Sequence, residues 1–414
     1  MKKKIVVIFL LILLVGTGFS VSGFIINNKK ILPILYGNTL YVGGDGPGNY
    51  TSIQQAIDNG SDGDTVFVYD DSSPYKEKII INKTIELIGE NKCNTIILDN
   101  RVSIYAEGVT FTNFTIQGDG IYISANSSVV YNNNFISYGY QFSMGGIYLK
   151  SENNTIYDNS LINCGILAFE YENEIYNNTV NGRQLVYLYE ASNKIFEDVG
   201  QVILHKCNNI TIKNSYFSNV FIGIEIFESE NCYISGNFFA YNTFFCLMIV
   251  NSSHNTITGN SFANKVIYNL GGGLFLANSD KNTFSRNTFQ NGIGNIWLAS
   301  SSDNIIKHNN FYFEKRIFNI VASESVNNWE GNFWNRPRIL PYIILIFNPS
   351  QIIPSFELDR RPAFIPNYLY EDRLPQDIDV LESKTLNKDV HWDLFLPILN
   401  SYPMLKKHFR DLVF

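Results

Sequence analysis

The acidic and basic side chains of this sequence form no familiar catalytic motif. Enzymes that cleave or epimerise acidic sugars need carboxylates as acid, base or calcium ligands, with a basic residue that moves the proton. The acidic pair Asp70–Asp71 precedes Ser72-Ser73-Pro74, where Asp is ordinary turn composition. The repeated part of the chain contains no Gly-His-Gly, Asp-Pro-His or Arg-x-Lys motif. We therefore predict no catalytic residue and favour a non-catalytic protein.

The residues that could ligate a metal are dispersed, with no Cys-x-x-Cys or His-x-His spacing. The histidines are His205, His254, His308, His391 and His408. Cysteines can pack as small apolar residues, and we expect this in the interior for Cys93, Cys164, Cys207, Cys232 and Cys246. The sequence therefore predicts neither a metal site nor a cofactor.

A third possible function is the binding of sugar rings by stacked aromatic side chains. The candidates lie in short strand-like runs. If the flanking residues of each run point inward, the middle ones point outward: Tyr122, Tyr148, Leu167, Tyr187, Ile203, Glu225, Met248, Phe275 and Trp297. Such rings suit sugar faces if they are exposed. In the alternative, rings about 4.8 Å apart stack on one another or lie under a covering segment. The ligand-binding candidates are Tyr122, Tyr148, Arg183, Tyr187, Glu225, Phe275 and Trp297.

A repeat must position these candidates. The phrase Asn255-Thr-Ile-Thr-Gly-Asn-Ser-Phe262 recurs along most of the chain, with a period of about 22 residues between Asn133 and Asn332. Between its copies, runs such as Gly273-Leu-Phe-Leu276 alternate at the strand period of two. The pattern predicts an all-β fold in which each coil pairs with the coils above and below, a single-stranded parallel β-helix.

The Asn of each phrase is predicted to be a structural corner residue. Asn tolerates left-handed backbone conformations, and its amide can hydrogen-bond neighbouring backbone. Stacked from coil to coil, these side chains would form an amide ladder of the kind known in cross-β stacks. The predicted ladder consists of Asn133, Asn159, Asn178, Asn237, Asn260, Asn287, Asn309 and Asn332.

The chain divides into five stretches. Residues 1–26, three lysines followed by an apolar run, are a predicted signal peptide or signal-anchor transmembrane helix, and residues 27–39 are a spacer. Residues 40–100 hold the N-terminal cap, with a helix near Thr51–Asp58, and the first coils. Residues 101–335 form the repeats, and residues 336–414 are a proline-punctuated C-terminal extension with a terminal amphipathic segment.

Several segments resemble NosD-like right-handed parallel β-helix proteins. They include Tyr50-Thr-Ser-Ile-Gln-Gln-Ala-Ile-Asp58, Gly63-Asp-Thr-Val66, Leu87-Ile-Gly-Glu90 and Asn328-Trp-Glu-Gly-Asn-Phe-Trp334. The resemblance covers residues 40 to 363 and implies a right-handed β-helix and export. The wider group mixes carbohydrate-binding proteins, polysaccharide-cleaving enzymes and proteins without a known ligand. The resemblance therefore selects no activity, and the copper role of NosD is not carried over.

These observations together favour an exported, non-catalytic cell-surface protein that binds polysaccharide or another cell-envelope glycan along the aromatic row. The alternatives are a polysaccharide-modifying enzyme and a copper-handling accessory protein of the NosD type. A nucleic-acid partner is not expected, because the net charge is −7 and there is no basic stripe. The expected location is extracellular or the outer face of the cytoplasmic membrane, with residues 1–26 as the membrane contact.

Overall fold

A computed structural model describes residues 37–98, 100–138, 145–263, 272–290, 295–312, 320–323, 325–335, 340–346 and 355–367. The predicted signal or anchor segment, residues 27–36 of the spacer and the terminal amphipathic segment lie outside the described residues. Within the described ranges, no helix is long and apolar enough to cross a bilayer.

Helix α1 (Ile53–Asn59) packs against the first strands, close to the range expected for a capping helix. Ser52 is its N-cap, because its Oγ accepts a hydrogen bond from the backbone N–H of Gln55 at 3.3 Å. The Glu77 carboxylate accepts a second one from the backbone N–H of Ile53 at 2.8 Å. The apolar face of α1 joins the core of the first coils and covers their open end.

The described residues form 39 strands, numbered in chain order, and most lie in five sheets. Sheet 1 contains β1 (Thr39–Val42), β2 (Thr65–Val68), β4 (Glu86–Gly89), β7 (Thr110–Thr112), β10 (Val129–Tyr131), β13 (Thr155–Tyr157) and β16 (Glu174–Tyr176). Sheet 2 contains β5 (Ile96–Leu98), β8 (Thr115–Gln117), β11 (Asn134–Ile136), β14 (Ser160–Ile162), β17 (Thr179–Val180), β18 (Arg183–Tyr189), β20 (Val199–His205), β23 (Ile222–Phe227), β26 (Phe245–Val250), β29 (Gly272–Ala277), β32 (Ile296–Ala299) and β35 (Ile320–Ser323).

The other three sheets are smaller or confined to one half of the solenoid. Sheet 3 contains β3 (Ile79–Ile81), β6 (Val102–Ile104), β9 (Ile121–Ile123), β12 (Ile147–Leu149) and β15 (Ile166–Ala168). Sheet 4 contains β19 (Ser192–Glu197), β21 (Asn208–Lys213), β24 (Tyr233–Ser235), β27 (Thr256–Thr258), β30 (Thr283–Ser285), β33 (Ile305–Lys307) and β36 (Asn328–Glu330). Sheet 5 contains β22 (Tyr216–Ser218), β25 (Phe238–Ala240), β28 (Ser261–Ala263), β31 (Thr288–Gln290), β34 (Asn310–Tyr312) and β37 (Phe333–Trp334). An antiparallel hairpin follows, β38 (Tyr342–Ile346) and β39 (Ser355–Asp359).

Strands one coil apart pair in parallel, so that equivalent residues of successive coils lie over one another. Val130, Ile156 and Ile175 are such a set, and all three are buried. The inward position of sheet 5 is a column of stacked rings with centroids 4.5–5.0 Å apart: Phe217, Phe239, Phe262, Phe289, Phe311 and Trp334. The predicted parallel β-helix is confirmed.

The solenoid has two segments that meet at a hairpin. In sheet 2, β17 and β18 are antiparallel, whereas its other neighbouring strands are parallel within the described ranges. In each coil, one strand corresponds to the run between two copies of the repeated phrase, and we call it the central strand. The central strands of segment 1 (residues 39–180) form sheet 3. Those of segment 2 (residues 183–334) belong to sheet 2. The residues of the predicted aromatic row therefore belong to two sheets.

A buried cluster joins side chains of segment 1 to the outer face of the central strands of segment 2, and we call this cluster the seam. Its apolar members are Tyr148, Leu167, Phe169, Phe221, Ile222, Phe227, Phe244, Phe245, Met248, Val250, Phe275, Ala277, Trp297 and Ala299. The ring of Tyr148 in segment 1 lies 6.4 Å from that of Phe221 in segment 2, centroid to centroid. The Gln201 amide also joins the segments, since its Nε2 donates to the Ile166 carbonyl at 2.8 Å.

The seam corrects the expectation of an open aromatic platform on these strands. Tyr148 is 8% exposed, Phe275 3% and Trp297 4%, while Tyr122 and Tyr187 are half-buried. The physical reason is that these side chains pack together in the seam cluster, which removes apolar area from water. The covered arrangement, which the sequence left as the alternative, is the one that the structure adopts.

The corner asparagines are all 0–2% exposed. Asn260 illustrates their bonding: its backbone N–H and its Nδ2 both donate to Oδ1 of Asn287 in the next coil, each at 3.0 Å. Its Nδ2 also donates to the Ile234 carbonyl of the preceding coil at 2.9 Å. The left-handed conformation falls one residue earlier than expected, for example at Gly259 (φ 63°). The buried amide, rather than its own backbone angle, makes this Asn a corner residue.

Two further ladders run beside this one in segment 2. One consists of Ser229, Ser252, Ser279, Ser301 and Ser325, in which the hydroxyl of each serine after Ser229 accepts from the backbone N–H of the preceding serine. The other consists of Asn255, Asn282, Asn304 and Asn327. Each ladder has a direction, because the backbone N–H of each rung donates to the side-chain oxygen of the next coil.

Carboxylates on β39 terminate both amide ladders. Asp359 Oδ2 accepts from the backbone N–H and Nδ2 of Asn332 at 2.9 and 3.1 Å, and from Trp334 Nε1 at 3.0 Å. Glu357 accepts from the backbone N–H of Asn327 at 2.9 Å. An acceptor with no hydrogen to donate suits the last rung, where only donors remain to be satisfied.

We expect Asp359→Ala to lower the free energy of unfolding by about 3 kcal/mol, because buried donors lose their acceptor. Asp359→Asn retains one oxygen and should lie between alanine and wild type. Urea denaturation measures both variants beside Glu230→Ala, which removes an exposed carboxylate. A loss no larger than that of the Glu230 variant would contradict the role of Asp359 as the end of the ladder.

We expect Trp297→Ala to cost about 3–5 kcal/mol of stability, as deletion of a large buried side chain usually does. Tyr233→Ala is the matched control, because Tyr233 is 43% exposed on sheet 4. Differential scanning calorimetry on both variants makes the comparison. Equal melting temperatures would show that the seam does not hold the segments together.

Candidate functional site

The structure places three of the sequence-predicted site residues, Tyr148, Phe275 and Trp297, in the seam, and Tyr122 packs against it. Tyr122 and Tyr148 are register partners on sheet 3. Tyr187, Glu225, Phe275 and Trp297 lie on strands of sheet 2, the last three in one column that also contains Met248. Arg183 has other partners: its Nε donates to Asp198 at 2.6 Å, and its guanidinium lies 5.8 Å from the ring centroid of Tyr216.

Glu225 is the most unusual of these residues. It is 0% exposed, and neither carboxyl oxygen has a hydrogen-bond partner among the described residues. Burial raises the pKa of Glu225 well above that of an ordinary glutamate, which favours the protonated form. Ile203 and Met248 occupy its position in the adjacent coils, so the packing by itself does not call for a carboxyl group.

His205 lies on the same face, where it pairs in register with Phe227, two residues after Glu225. It is 6% exposed, and its Nδ1 has no hydrogen-bond partner within the described part of the chain. Its Nε2 lies 3.8 Å from a carboxylate oxygen of Glu228. Burial lowers the pKa of His205, against the opposing effect of Glu228, so the neutral imidazole is favoured.

Tyr171 covers this polar pair from segment 1. Its ring stacks on that of His205 with centroids 3.9 Å apart, and its carbonyl accepts from the Tyr187 hydroxyl at 2.5 Å. Burial raises the pKa of Tyr187. The same outer face therefore holds an acid and a base that are both favoured in neutral form, and the Tyr171 ring covers the base; groups with such shifted pKa values are candidates for proton transfer.

A second aromatic row lies on the outer face of sheet 1, and the sequence analysis did not find it. We call it the aromatic column, and its register-paired members are Tyr41, Phe67, Ile88, Thr112, Tyr131, Tyr157 and Tyr176. Its ends are exposed, 42% at Tyr41 and 45% at Tyr176. This row, rather than the predicted one, is open to solvent.

Three tyrosines of the aromatic column form a regular stack. The centroids of Tyr131 and Tyr157 are 4.9 Å apart with an interplanar angle of 2°, and those of Tyr157 and Tyr176 are 5.2 Å apart with an angle of 10°. Sheet 1 ends at β16, so no further strand of this sheet continues the stack beyond Tyr176 within the described residues. Tyr176 therefore terminates the row with an accessible ring.

A polar column runs beside the aromatic one on the same outer face, two residues earlier on each strand. Its members are Thr39, Thr65, Glu86, Thr110, Val129, Thr155 and Glu174. Hydroxyl and carboxylate groups there can hydrogen-bond a ligand that lies over the rings. The two columns together form a surface with aromatic and polar halves.

The sequence contained a signal for the aromatic column. Tyr131, Tyr157 and Tyr176 each stand two residues before a ladder asparagine, where the strand alternation turns them outward. The central strands, which were predicted to carry the open row, give the stronger sequence pattern because they are the most apolar. They are apolar because both of their faces are buried.

The described residues contain no group of three or more His, Cys, Asp or Glu side chains that could hold a metal ion. Cys164, Cys207, Cys232 and Cys246 are buried free thiols, as predicted. The expectation was wrong for Cys93, which is exposed. The reason is that Cys93 lies in the turn before β5 rather than on an inward strand position.

Comparison with known proteins gives the fold a family context. No curated protein matches the chain in sequence. Among solved structures, it is similar to the A-module of mannuronan C-5 epimerase AlgE6 from Azotobacter vinelandii (10% identity, 68% of this chain and 88% of that chain, TM-score 0.30). It is also similar to the PL6 family polysaccharide lyase Pedsa3628 from Pseudopedobacter saltans (13% identity, 84% and 97%, TM-score 0.33).

A third similar structure is the enzymatically active domain of tailspike protein 2 from bacteriophage CBA120 (15% identity, TM-score 0.29), where the match covers 72% of this chain and 43% of that chain. The family model of the right handed beta helix region matches residues 200–333. That stretch contains most of segment 2, in which coil pairs with coil in parallel. The protein is a right-handed parallel β-helix protein.

Proposed function

We propose that this protein binds carbohydrate on the outer face of sheet 1. The observation that carries the proposal is the aromatic column: Tyr41 and Phe67 lie at one end, the stacked Tyr131, Tyr157 and Tyr176 lie at the other, and Tyr41 and Tyr176 are exposed. An aromatic ring offers an apolar face to the C–H side of a sugar, and tyrosine adds a hydroxyl. The polar column beside it supplies partners for sugar hydroxyl groups. An extended polymer matches a site that repeats from coil to coil.

The charges around the aromatic column favour a neutral polysaccharide over an acidic one. Glu86 and Glu174 lie in the polar column, and Asp158 follows Tyr157 at the corner. The whole chain has a net charge of −7. An anionic polymer would therefore meet like charges along the site.

We also propose that the protein acts outside the cell as a non-catalytic binder of envelope glycan. The support is the sequence of residues 1–26, in which lysines precede an apolar run. The NosD-like segments between residues 40 and 363 support the same location by resemblance. Residues 1–26 would then deliver the β-helix to the outer face of the membrane.

A polysaccharide-modifying enzyme is the second candidate, and His205 favours it. Its Nε2 faces Glu228 at 3.8 Å, and Glu225 lies on the same face of the adjacent strand β23. A neutral imidazole beside a carboxylate is suited to proton transfer. Binding is the better supported function, because Glu225 is 0% exposed and a polymer cannot reach it under the cover of the seam.

We expect Tyr176→Ala to weaken binding of neutral glycans about tenfold, a change of about 1.4 kcal/mol, because it removes the exposed end of the stack. A glycan array identifies the neutral ligand, and isothermal titration calorimetry then measures the loss. Tyr233→Ala is the matched control, with a similarly exposed ring on sheet 4. It should bind as wild type does.

Three results would contradict the proposal: no binding to any glycan, equal losses in the two variants, or tighter binding of an acidic polymer such as alginate than of neutral ones. The same incubations report on the second candidate. New reducing ends or unsaturated products that disappear in Glu225→Gln would establish the enzyme instead.

A further inference from the structure

The C-terminal extension lies against the outside of the last two coils. The backbone N–H of Ala363 donates to the carbonyl of Asn332 at 2.9 Å. Four residues later, the backbone N–H of Asn367 donates to Oδ1 of Asn310 at 2.7 Å, and Nδ2 of Asn310 donates to the Asn367 carbonyl at 3.0 Å. Nδ2 of Asn367 also donates to the carbonyl of Gly331 at 3.1 Å. The chain therefore passes from the last coil back to the one before it and advances towards the N-terminal end.

The outer face of sheet 5 is closed at the end where this extension lies and more open at the other. Its register-paired outward residues are Tyr216, Phe238, Ser261, Thr288, Asn310 and Phe333. The last three are 8%, 0% and 4% exposed, whereas the first three are half-buried. The rings of Tyr216 and Phe238 stack with centroids 5.4 Å apart. These rings form an apolar surface in line with the extension, which further chain can cover.

Charges along the same path are complementary to the sequence that follows. Arg286, His308 and Gly331 occupy equivalent corner positions between sheets 4 and 5 in three successive coils, and Arg286 and His308 are exposed. Residues 368–383, which lie outside the described residues, contain one basic residue, Arg373, and five acidic ones: Glu371, Asp372, Asp377, Asp379 and Glu382. Opposite charges on two surfaces favour their association and fix its register.

We propose that residues 368–383 dock on the outer face of sheet 5 and continue the contacts of residues 363–367. The described part of the extension advances one coil in four residues. At this pace Glu371 comes beside Arg286, and residue 383 reaches the coil of Tyr216. The chain is long enough, because coils are about 4.8 Å apart and an extended residue spans about 3.3 Å. The apolar residues Tyr368, Leu369 and Tyr370 would follow Asn367 directly onto this face.

The test is cross-linking in the complete chain with Cys93→Ser, because Cys93 is the exposed free thiol among the described residues. One variant carries Arg286→Cys with Glu371→Cys, and a short bismaleimide joins thiols that lie close together. The control variant carries Lys281→Cys with Glu371→Cys. Lys281 is also basic and exposed, and it lies at the other end of β30 in the same coil. We expect the Arg286 pair to link within one chain at a yield at least about fivefold above the control, because docking raises the effective concentration at one corner only.

Peptide mapping by mass spectrometry identifies the linked residues. Adding Asn310→Ala, which removes both hydrogen bonds to the backbone of Asn367, should lower the yield of the Arg286 pair. The proposal is overturned by equal yields in the two pairs, by no link to residue 286, or by links that join two chains. An unchanged yield with Asn310→Ala would equally contradict it, since residues 363–367 would then not position the segment. The carbohydrate proposal is independent of these results, because Tyr176→Ala tests it on another sheet.

Discussion

The directional chain of buried amides is the interaction on which this fold depends. In segment 2, each corner asparagine accepts from donors of the preceding coil and donates to the amide oxygen of the next. In segment 1 the row ends at Asn178, whose Nδ2 donates to the carbonyls of Ile156 and Tyr176. The last amides of segment 2, Asn327 and Asn332, leave N–H donors that need another acceptor. The carboxylates of Glu357 and Asp359 resolve this problem. The C-terminal hairpin is therefore part of the hydrogen-bond system of the solenoid as well as a cover for its last coil.

The reversal between β17 and β18 sets the second constraint. It brings residues of segment 1 against the outer face of segment 2, as the Tyr148–Phe221 and Tyr171–His205 ring contacts show, and the seam removes apolar rings from solvent. The most apolar strands thereby become structural. This burial also isolates Glu225 and His205, which an exposed sheet would have left hydrated. One reversal of strand direction therefore accompanies both the burial of the apolar seam and the isolation of Glu225 and His205 from water.

What remains open is the outer face of sheet 1, where rings and polar groups alternate along each strand. A surface of this kind has the periodicity of the coils themselves, with neighbouring strands about 4.8 Å apart. Its recognition chemistry follows from repetition, because five of the seven strands of sheet 1 carry a ring at this position and six carry a polar residue two positions earlier. The seam differs, because it is enclosed and its polar groups Glu225 and His205 are favoured in their neutral forms.

The sequence by itself determined the coil period, the inward residues and the corner ladder, because strand alternation and repeated amides are local and recur in each coil. It did not determine which outward residues meet solvent. Tyr148 and Trp297 are buried and Tyr176 is exposed, although all three stand at outward strand positions. That difference arises from packing between segments distant in sequence. The sequence also did not show where the ladders end, since Asp359 lies 27 residues after Asn332 in the chain. Only the tertiary structure decides such contacts, because no local pattern encodes which faces meet.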